Sequence, residues 1–376
     1  MKKKVLRIAT VPISLNLLLQ GQLRMLNEDY EMVAVSSPGK DLEEVGAREG
    51  VRTVGIRMER RISPIQDLKS LFALIKLIRK EKPWMVHTMT PKAGLLGMLA
   101  ARICGVPVRF HLFTGLVFPT STGLKRRLLM ATDKLTCACA TFINPEGEGV
   151  KRDLERFGIT HKELHIVGNG NINGIDMTYF DRTEEVMKKA ESIREKDCVT
   201  FCFVGRIVGD KGMNELAEAF ARLEKEFPSC RLLLVGDFEE KLDPVSPETK
   251  RMFLENSRVT FAGWQQDIRP YLAASDIFVF PSYREGFPNV VLQAGAMGLP
   301  SIVTDINGSS EIIRDGVNGV IIPPRDTEAL WKAMRNMLAD EAARRRMAAN
   351  ARNLIGSRYD RMFLWQELKK TYKSLE

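Results

Sequence analysis

Short β-rich runs of sequence alternate with longer helical runs along nearly the whole chain of 376 residues. The first half predicts strands at residues 5–10, 32–36, 85–87, 108–112, 141–144 and 164–167. The second half predicts strands at residues 200–204, 231–235, 259–261, 277–280, 301–304 and 319–322. Parallel sheets that are covered by helices on both faces produce this alternation. Two such series predict an α/β fold with two doubly wound domains.

The division between the two domains is predicted within residues 168–197, where a loop rich in glycine and asparagine precedes a charged segment. We place the domains at residues 1–170 and 171–357. Residues 358–376 predict a basic helix that packs back on the first domain. The helices predicted for the first half cover residues 15–27, 63–80, 93–104, 125–136 and 146–157.

The formal charge of the chain is +9, because 56 Lys and Arg residues outnumber 47 Asp and Glu residues. Residues 1–170 carry 27 basic and 16 acidic side chains, whereas residues 171–376 carry 29 and 31. This excess indicates a polyanionic partner, which could be nucleic acid, phospholipid or a phosphorylated substrate. The chain shows no basic stripe with interleaved aromatic residues, which argues against specific nucleic-acid binding.

A basic segment at residues 57–82 holds eight basic and three acidic side chains. Its predicted helix carries apolar residues at helical spacing: Leu68, Leu71, Phe72, Ile75 and Ile78. One interpretation is an ordinary helix packed on the sheet with a solvated basic face. The other is an in-plane contact with anionic lipids, which residues 125–130 would extend.

Two cations follow the predicted strand at residues 200–204. Gly205 ends the strand, Arg206 comes next, and Lys211 stands on the same loop before a predicted helix. Ligands of open α/β sheets bind at the carboxyl ends of the strands. A planar guanidinium, an ammonium and the free N–H groups of a helix N-terminus would together hold a diphosphate without a metal. The alternative is that the two cations only form a solvated surface.

A second loop follows the predicted strand at residues 277–280 and enters another helix. Glu285 stands on this loop beside backbone amides, and a carboxylate among amides suits sugar hydroxyls, which need both acceptors and donors. The alternative is that Glu285 only caps the helix. The candidate residues of this loop and helix are Glu285, Gly286, Phe287, Pro288, Asn289 and Gln293.

Two further loops end strands in the same half of the chain. Asn307, Gly308 and Glu311 follow the strand at residues 301–304, where Glu311 also suits the first turn of a helix. Trp264 follows the strand at residues 259–261 and would either flank a nucleotide base or pack on the surface.

These motifs together resemble a known family. Gly-Arg206-x4-Lys211-Gly, Glu285-Gly-Phe-Pro-Asn-Val-Val-Leu-Gln293 and Asn307-Gly-Ser-Ser-Glu311 are similar to those of the retaining GT-B glycosyltransferases of family four. The resemblance covers nearly the whole chain and is strongest to enzymes that assemble bacterial capsule, O-antigen or lipid-linked oligosaccharides. It implies a GT-B fold of two Rossmann-like domains facing a central cleft, with a C-terminal helix crossing back to the N-terminal domain.

The resemblance also implies roles for the donor loops. Arg206 and Lys211 would neutralise the donor diphosphate in place of a metal, and Glu285 would approach the hydroxyls of the donor sugar. The family pattern is E-x7-E, and this chain has Gln293 at the second place, where an uncharged amide can still accept a ribose hydrogen bond. The absence of any D-x-D sequence agrees with an enzyme that needs no metal and no cofactor.

The N-terminal domain would hold the acceptor, with His87, Lys92, His111, Thr114 and Gly115 as candidate residues. Many relatives have a histidine directly before the glycine of the second motif, but this chain has Thr114 there. His111 shares a strand face with Phe113, so it suits a packed core position as well as an acceptor site.

We therefore expect transfer of a sugar from a nucleotide sugar, most simply a UDP-sugar, to a hydroxyl of a lipid-linked glycan, with retention. The enzyme would work in the cytoplasm, peripherally bound to the inner face of the cytoplasmic membrane. The alternative activity is that of a nucleotide-sugar epimerase. A nonspecific polyanion-binding protein is the alternative of a different class.

Overall fold

Two six-stranded parallel sheets with packed helices make up the computed structural model, which describes residues 2–241 and 243–376. The strands are β1 (Lys4–Ile8), β2 (Glu31–Ser36), β3 (Arg52–Gly55), β4 (Met85–Met89), β5 (Val108–Phe113), β6 (Phe142–Pro145), β7 (Val199–Val204), β8 (Cys230–Val235), β9 (Val259–Gly263), β10 (Ile277–Phe280), β11 (Ser301–Thr304) and β12 (Gly319–Ile322). The predicted α/β class is confirmed.

The helices of the first half are α1 (Pro12–Leu18), α2 (Gln22–Asn27), α3 (Lys40–Glu49), α4 (Pro64–Glu81), α5 (Pro91–Ile103), α6 (Gly123–Cys139) and α7 (Glu148–Arg156). Those of the second half are α8 (Glu184–Ile193), α9 (Met213–Glu226), α10 (Pro247–Glu255), α11 (Arg269–Ala273), α12 (Asn289–Ala296), α13 (Ser309–Ile312), α14 (Thr327–Ala339), α15 (Glu341–Tyr359) and α16 (Arg361–Ser374). Among the helices of the described residues, none combines the length and the apolar character that a membrane span requires.

The chain divides into two units. The N-terminal unit comprises residues 2–174 together with Met362–Glu376, and the C-terminal unit is Ile175–Arg361. The Asn171 side chain accepts hydrogen bonds from the N–H groups of Asn173 and Gly174, at 3.1 and 2.8 Å. The Asn173 amide in turn donates to the carbonyl of Gln20 at 3.0 Å. These bonds tie the loop to the N-terminal unit, which therefore runs past the predicted end at residue 170.

The sheet of the N-terminal unit has the order β3-β2-β1-β4-β5-β6, with all pairs parallel. Side chains alternate between its two faces. Leu6 and Val86 pack on one face in a core with α4, α5 and α6, whereas Val5, Met85 and Phe110 pack on the other face. The strand order reverses between β1 and β4, the two strands at the centre of the sheet.

Two strand assignments in the N-terminal unit differ from the prediction. The sequence missed β3, because this edge strand has only four residues and none of them is fully buried. It also predicted a strand at residues 164–167, where only Leu164 makes an isolated bridge to Ile143.

The predicted helix at residues 15–27 is two helices, α1 and α2. The break falls at Gly21, whose φ of 79° is a backbone conformation that glycine adopts readily. The ring of Trp365 on α16 lies so close to Gly21 that a Cβ would be 2.8 Å from it. The absence of a side chain at Gly21 therefore leaves room for Trp365 of the C-terminal helix.

The C-terminal helix α16 packs in the core of the N-terminal unit, as predicted. Leu364, Leu368 and Tyr372 are buried on the same face of the sheet as Val5 and Phe110. The ring of Tyr372 meets Tyr30 edge to face, with ring centroids 5.4 Å apart. The core of this unit is thus closed by a segment from the other end of the chain.

The sheet of the C-terminal unit has the order β12-β11-β10-β7-β8-β9, again entirely parallel. The observed β10, β11 and β12 have the predicted bounds. All residues of β10 and β11 are buried, which is typical of central strands covered on both faces. The order reverses between β7 and β10, so the loops that follow these two strands are neighbours.

Asp133 on α6 is a buried carboxyl group that makes no hydrogen bond or ion pair with any of the described residues. Burial raises its pKa from 3.8 to about 7. The unfolded chain loses this proton near pH 4, whereas the native protein keeps it until about pH 7. Between these values the native state binds more protons, so stability falls as the pH rises.

We expect Asp133→Asn to raise the free energy of unfolding at pH 8 by about 2–4 kcal/mol, because the neutral amide avoids burying a charge. The gain should vanish below about pH 4, where both forms are neutral. Urea unfolding across this pH range measures the effect. Glu155→Gln, at an exposed position on α7, is the control. An equal gain at pH 4 and pH 8 would refute the assignment.

Candidate active site

The candidate site lies at the carboxyl ends of β7 and β10, where the strand order of the sheet reverses. In open parallel sheets this reversal leaves a crevice between the loops. The loop after β7 enters α9 through Gly212, whose φ is 70°. A Cβ on Gly212 would be 2.1 Å from the carbonyl oxygen of Pro281, in the loop after β10. The two loops therefore meet at a point that only glycine permits.

Lys211 and Glu285, which the sequence predicts in one site, form an ion pair across these two loops. Their side chains are 15% and 17% exposed. The Ser282 hydroxyl also donates to the Glu285 carboxylate at 2.9 Å. The Lys211 ammonium lies 5.3 Å from the ring centroid of Phe280. A cation and a carboxylate are thus held together in a mostly dehydrated crevice, where electrostatic interactions are strengthened.

Glu285 does not cap α12, which was the alternative interpretation of this residue. The N-cap of α12 is Pro288, and no side chain caps the helix there. The Glu285 carboxylate bonds instead to Lys211 and Ser282.

Arg206, the third predicted catalytic residue, points to a different partner. It follows Gly205 at the end of β7 and pairs with Glu239 in the loop after β8, with its side chain 57% exposed. Its guanidinium is therefore the solvent-facing cation of the site, whereas Lys211 is the enclosed one.

A polar network that the sequence did not predict holds the two loops in register. The Asp210 carbonyl accepts from the N–H of Tyr283 at 2.8 Å, and its carboxylate accepts from Arg284 at 3.2 Å. The Tyr283 hydroxyl donates to Glu215 on α9. Burial and this carboxylate raise the pKa of Tyr283. Asp210, directly before Lys211, was the only sequence signal for this network. The sequence alone does not show that Asp210 contacts the loop after β10.

The remaining donor candidates lie around the loops after β10 and β11. Phe287 is buried and meets Tyr359 edge to face, with ring centroids 5.4 Å apart, so it anchors the turn at Gly286. The Glu311 side chain in α13 accepts a hydrogen bond from the N–H of Gly308 at 3.1 Å. Glu311 therefore caps the first turn of this helix. Asn289, Gln293 and Asn307 are half-buried on the same loops and α12.

Trp264 follows β9 and is largely exposed. The backbone N–H of Trp264 donates to the Asp237 carboxylate at 3.0 Å, and this bond joins the loops after β8 and β9. The indole therefore stands at the carboxyl edge of the sheet with its surface open to solvent.

The two candidate histidines of the acceptor side are inside the N-terminal unit. His87 on β4 stacks on Phe110 at 3.9 Å between ring centroids. His111 on β5 bonds to the Thr88 hydroxyl at 2.7 Å and meets Phe113 edge to face, as the shared strand face predicts. Burial lowers the pKa of His111 to about 3 and that of His87 well below 6.5. Both rings are neutral core residues at physiological pH.

The other acceptor candidates are nearer the surface. Lys92 at the start of α5 pairs with Asp67 on α4 at 2.6 Å. Thr114 and Gly115 follow β5 and are half-buried. The roles of all five residues toward an acceptor stay predictions. Across residues 2–241 and 243–376, no three His, Cys, Asp or Glu side chains cluster as a metal site would require.

These two parallel α/β units, with a terminal helix that returns to the first of them, define the GT-B fold. The crystal structure of HepE of Anabaena in complex with UDP has the same fold, with a TM-score of 0.82 over 100% of both chains and 18% sequence identity. The chain belongs to the glycosyltransferases: "Glycosyl transferases group 1" matches residues 198–340, and "Glycosyl transferase 4-like domain" matches residues 19–170.

Two relatives cover most of this chain. The capsular polysaccharide biosynthesis glycosyltransferase CapM of Staphylococcus aureus is 30% identical over 99% of this chain and 97% of its own length. The UDP-Gal:alpha-D-GlcNAc-diphosphoundecaprenol alpha-1,3-galactosyltransferase of Escherichia coli is 30% identical over 83% of this chain and 81% of its own length. The predicted family is confirmed.

We expect Gly212→Ala to separate the two loops, because its Cβ would overlap the carbonyl of Pro281. The free energy of unfolding should fall by about 1–3 kcal/mol more than in Gly316→Ala. Gly316 has a matching φ of 71° but open space around it, so this control carries only the backbone strain. Urea unfolding of the two variants makes the comparison, and equal losses would contradict the close approach.

Proposed function

We propose that this chain transfers a sugar from a UDP-sugar to a hydroxyl of a lipid-linked glycan, with retention of anomeric configuration, during the synthesis of a bacterial surface polysaccharide. The observation that carries the proposal is the enclosed Lys211–Glu285 pair in the crevice between the loops after β7 and β10. The relatives act in capsule synthesis and on a diphosphoundecaprenol-linked sugar, and HepE was crystallised with UDP. These names support the choice of donor and acceptor.

The donor diphosphate would bind at the start of α9. The Lys211 ammonium has three N–H donors, and its bond to Glu285 uses one of them. The free N–H groups at the N-terminus of α9, beginning at Met213, add positive potential beside it. As the bond to the sugar breaks, negative charge grows on the diphosphate, and these fixed donors stabilise it. Arg206 would supply a second cation from the solvent side.

Glu285 would act on the donor sugar. Its carboxylate is oriented by two donors, Lys211 and Ser282, so its remaining lone pairs have a fixed direction. Hydroxyls of a hexose can donate to these lone pairs, which positions the anomeric carbon over the diphosphate. We propose that these cations make a metal unnecessary, and that the proton of the acceptor hydroxyl passes to the departing phosphate oxygen.

We expect Lys211→Met to lower kcat/KM for transfer by about 10²–10³, because one fixed donor to the leaving group is lost. Glu285→Gln should also reduce kcat strongly, since the amide keeps the shape but loses the charge. Lys250→Met, which breaks an exposed ion pair with Glu240 in the same unit, should retain activity. UDP release with a lipid-linked glycan acceptor measures the rates.

Three results would refute this proposal. They are near-normal turnover by Glu285→Gln, loss of transfer on adding a chelator, and inversion of configuration in the product by NMR. Incubation with a UDP-sugar and no acceptor tests the alternative activity, because rapid epimerisation would identify an epimerase.

We also propose that the N-terminal unit binds an anionic membrane surface through the outer faces of α4 and α6. The apolar residues of α4 divide between two faces. Leu74 and Ile78 are buried against the sheet, whereas Leu68 and Phe72 are 54% and 63% exposed. The helix therefore packs on the sheet through one face and leaves apolar side chains exposed on another.

The exposed face of α4 combines apolar and basic side chains. Ile65 is exposed beside Leu68 and Phe72, and Lys69 and Lys76 are exposed on the same helix. On α6, Leu124 and Leu128 are exposed together with Lys125 and Arg127. α5 packs between α4 and α6, so both helices present these residues from one layer of the unit. Apolar groups that insert between anionic headgroups, flanked by cations, favour in-plane binding.

Replacement of Leu68 and Phe72 by Glu should reduce binding to vesicles of phosphatidylglycerol and phosphatidylcholine by more than about tenfold, because each buried side chain contributes roughly 1.5–3 kcal/mol. Leu254→Glu on α10 is the matched control, since Leu254 is 53% exposed in the C-terminal unit. Co-sedimentation measures binding. Equal binding to vesicles of phosphatidylcholine alone would contradict the role of anionic lipid.

A further inference from the structure

A small, partly enclosed cavity lies inside the N-terminal unit, between the centre of its sheet and α16. Its walls include Arg7 of β1, His87 of β4 and Gln22 of α2, with Leu364 and Leu368 of α16 on the opposite side. Measured as the space open to the centre of a water-sized sphere, its volume is about 10 Å³. This is enough for one small species.

Arg7 brings a positive charge into this cavity without a counter-charge. Its side chain is 1% exposed, and its Nε and Nη1 atoms have no hydrogen-bond partner. None of the ion pairs in the described part of the chain includes it. Burial lowers its pKa to about 10, so the guanidinium remains charged at neutral pH. An unpaired buried charge costs several kcal/mol, which a bound counter-ion would offset.

His87 adds a second donor to the same wall. Its Nδ1 lies 2.6 Å from the Tyr372 hydroxyl on α16. When this hydroxyl donates to Nδ1, the single proton of the neutral ring is on Nε2, which has no partner. Arg7 and His87 are adjacent in the register of β1 and β4, and both line the cavity.

Gln22 supplies the acceptor that completes the cavity. Its amide nitrogen donates to the Ile172 carbonyl at 2.8 Å and to the Asn173 side chain at 3.2 Å, which fixes the orientation of the amide. Its Oε1 atom is buried and has no partner. An anion that also carries a proton would satisfy this oxygen directly.

We propose that the cavity binds a small monovalent anion, a halide or bicarbonate, held by Arg7 and His87 beneath the C-terminal helix. The ion neutralises the only charge in the walls and occupies the space that faces Leu364 and Leu368. It therefore stabilises the packing of α16 on the sheet. This site is separate from the donor loops, and it does not depend on the proposed function.

The test uses the full-length protein at constant ionic strength. Replacing gluconate, which is too large for the cavity, by chloride or bicarbonate should raise Tm by about 3–6 °C at tenfold the Kd of the ion. Amide hydrogen exchange in β1, β4 and α16 should slow under the same change. A larger effect of bicarbonate than of chloride would show that the bicarbonate hydroxyl donates to Gln22 Oε1.

Arg7→Met should abolish the anion dependence, whereas Arg24→Met, at an exposed position on α2, should retain it. Diffraction from native crystals soaked in bromide does not depend on any variant folding. It should show an anomalous peak within hydrogen-bond distance of Arg7. A water in the cavity with no anomalous peak, together with equal Tm in chloride, bicarbonate and gluconate, would overturn the proposal.

Discussion

The approach of Gly212 to the carbonyl of Pro281 is the contact on which the candidate active site depends. It sets the separation of the loops after β7 and β10, and this separation allows Lys211 to reach Glu285. The network around Asp210 and Tyr283 holds the same two loops from the other side. The geometry of the candidate site is thus set by the backbone of the two loops. Their separation determines that the charged side chains of Lys211 and Glu285 meet.

Positive charge is used in three different environments in this molecule. Lys211 is enclosed and paired with Glu285, at the place that we propose for a diphosphate. The cations of α4 and α6 are exposed and lie on the same helices as exposed apolar side chains. Arg7 is buried and pairs with no carboxylate of the described residues. Its charge would be neutralised only by an anion bound in the cavity. The net charge of the sequence gives no hint of this division.

The alternation of strands and helices was sufficient to predict both sheets, because buried parallel strands are continuous apolar runs bounded by glycine and charged residues. Edge strand β3 was missed, since half-exposed residues carry no such signal. The residue types and spacing around Lys211 and Glu285 predicted one site, but the pairing of these two residues, 74 positions apart, depends on a close approach of two loops. The burial of His87 depends on Tyr372 of α16, which lies far away in sequence. His111, in contrast, is buried on the other face of the sheet, against Thr88 of β4 and Gly94 of α5.

The packing of α16 against β1 and β4 has a consequence for the synthesis of the chain. The N-terminal unit draws its core from residues 2–174 and from Met362–Glu376. About 190 residues of the other unit must be translated between these segments, which takes roughly 10–40 s at 5–20 residues per second. During that time the face carrying Val5, Phe110 and Tyr30 lacks its cover. The half of the protein made first is therefore the half completed last, and its exposed sheet is the surface that chaperones would meet on the ribosome.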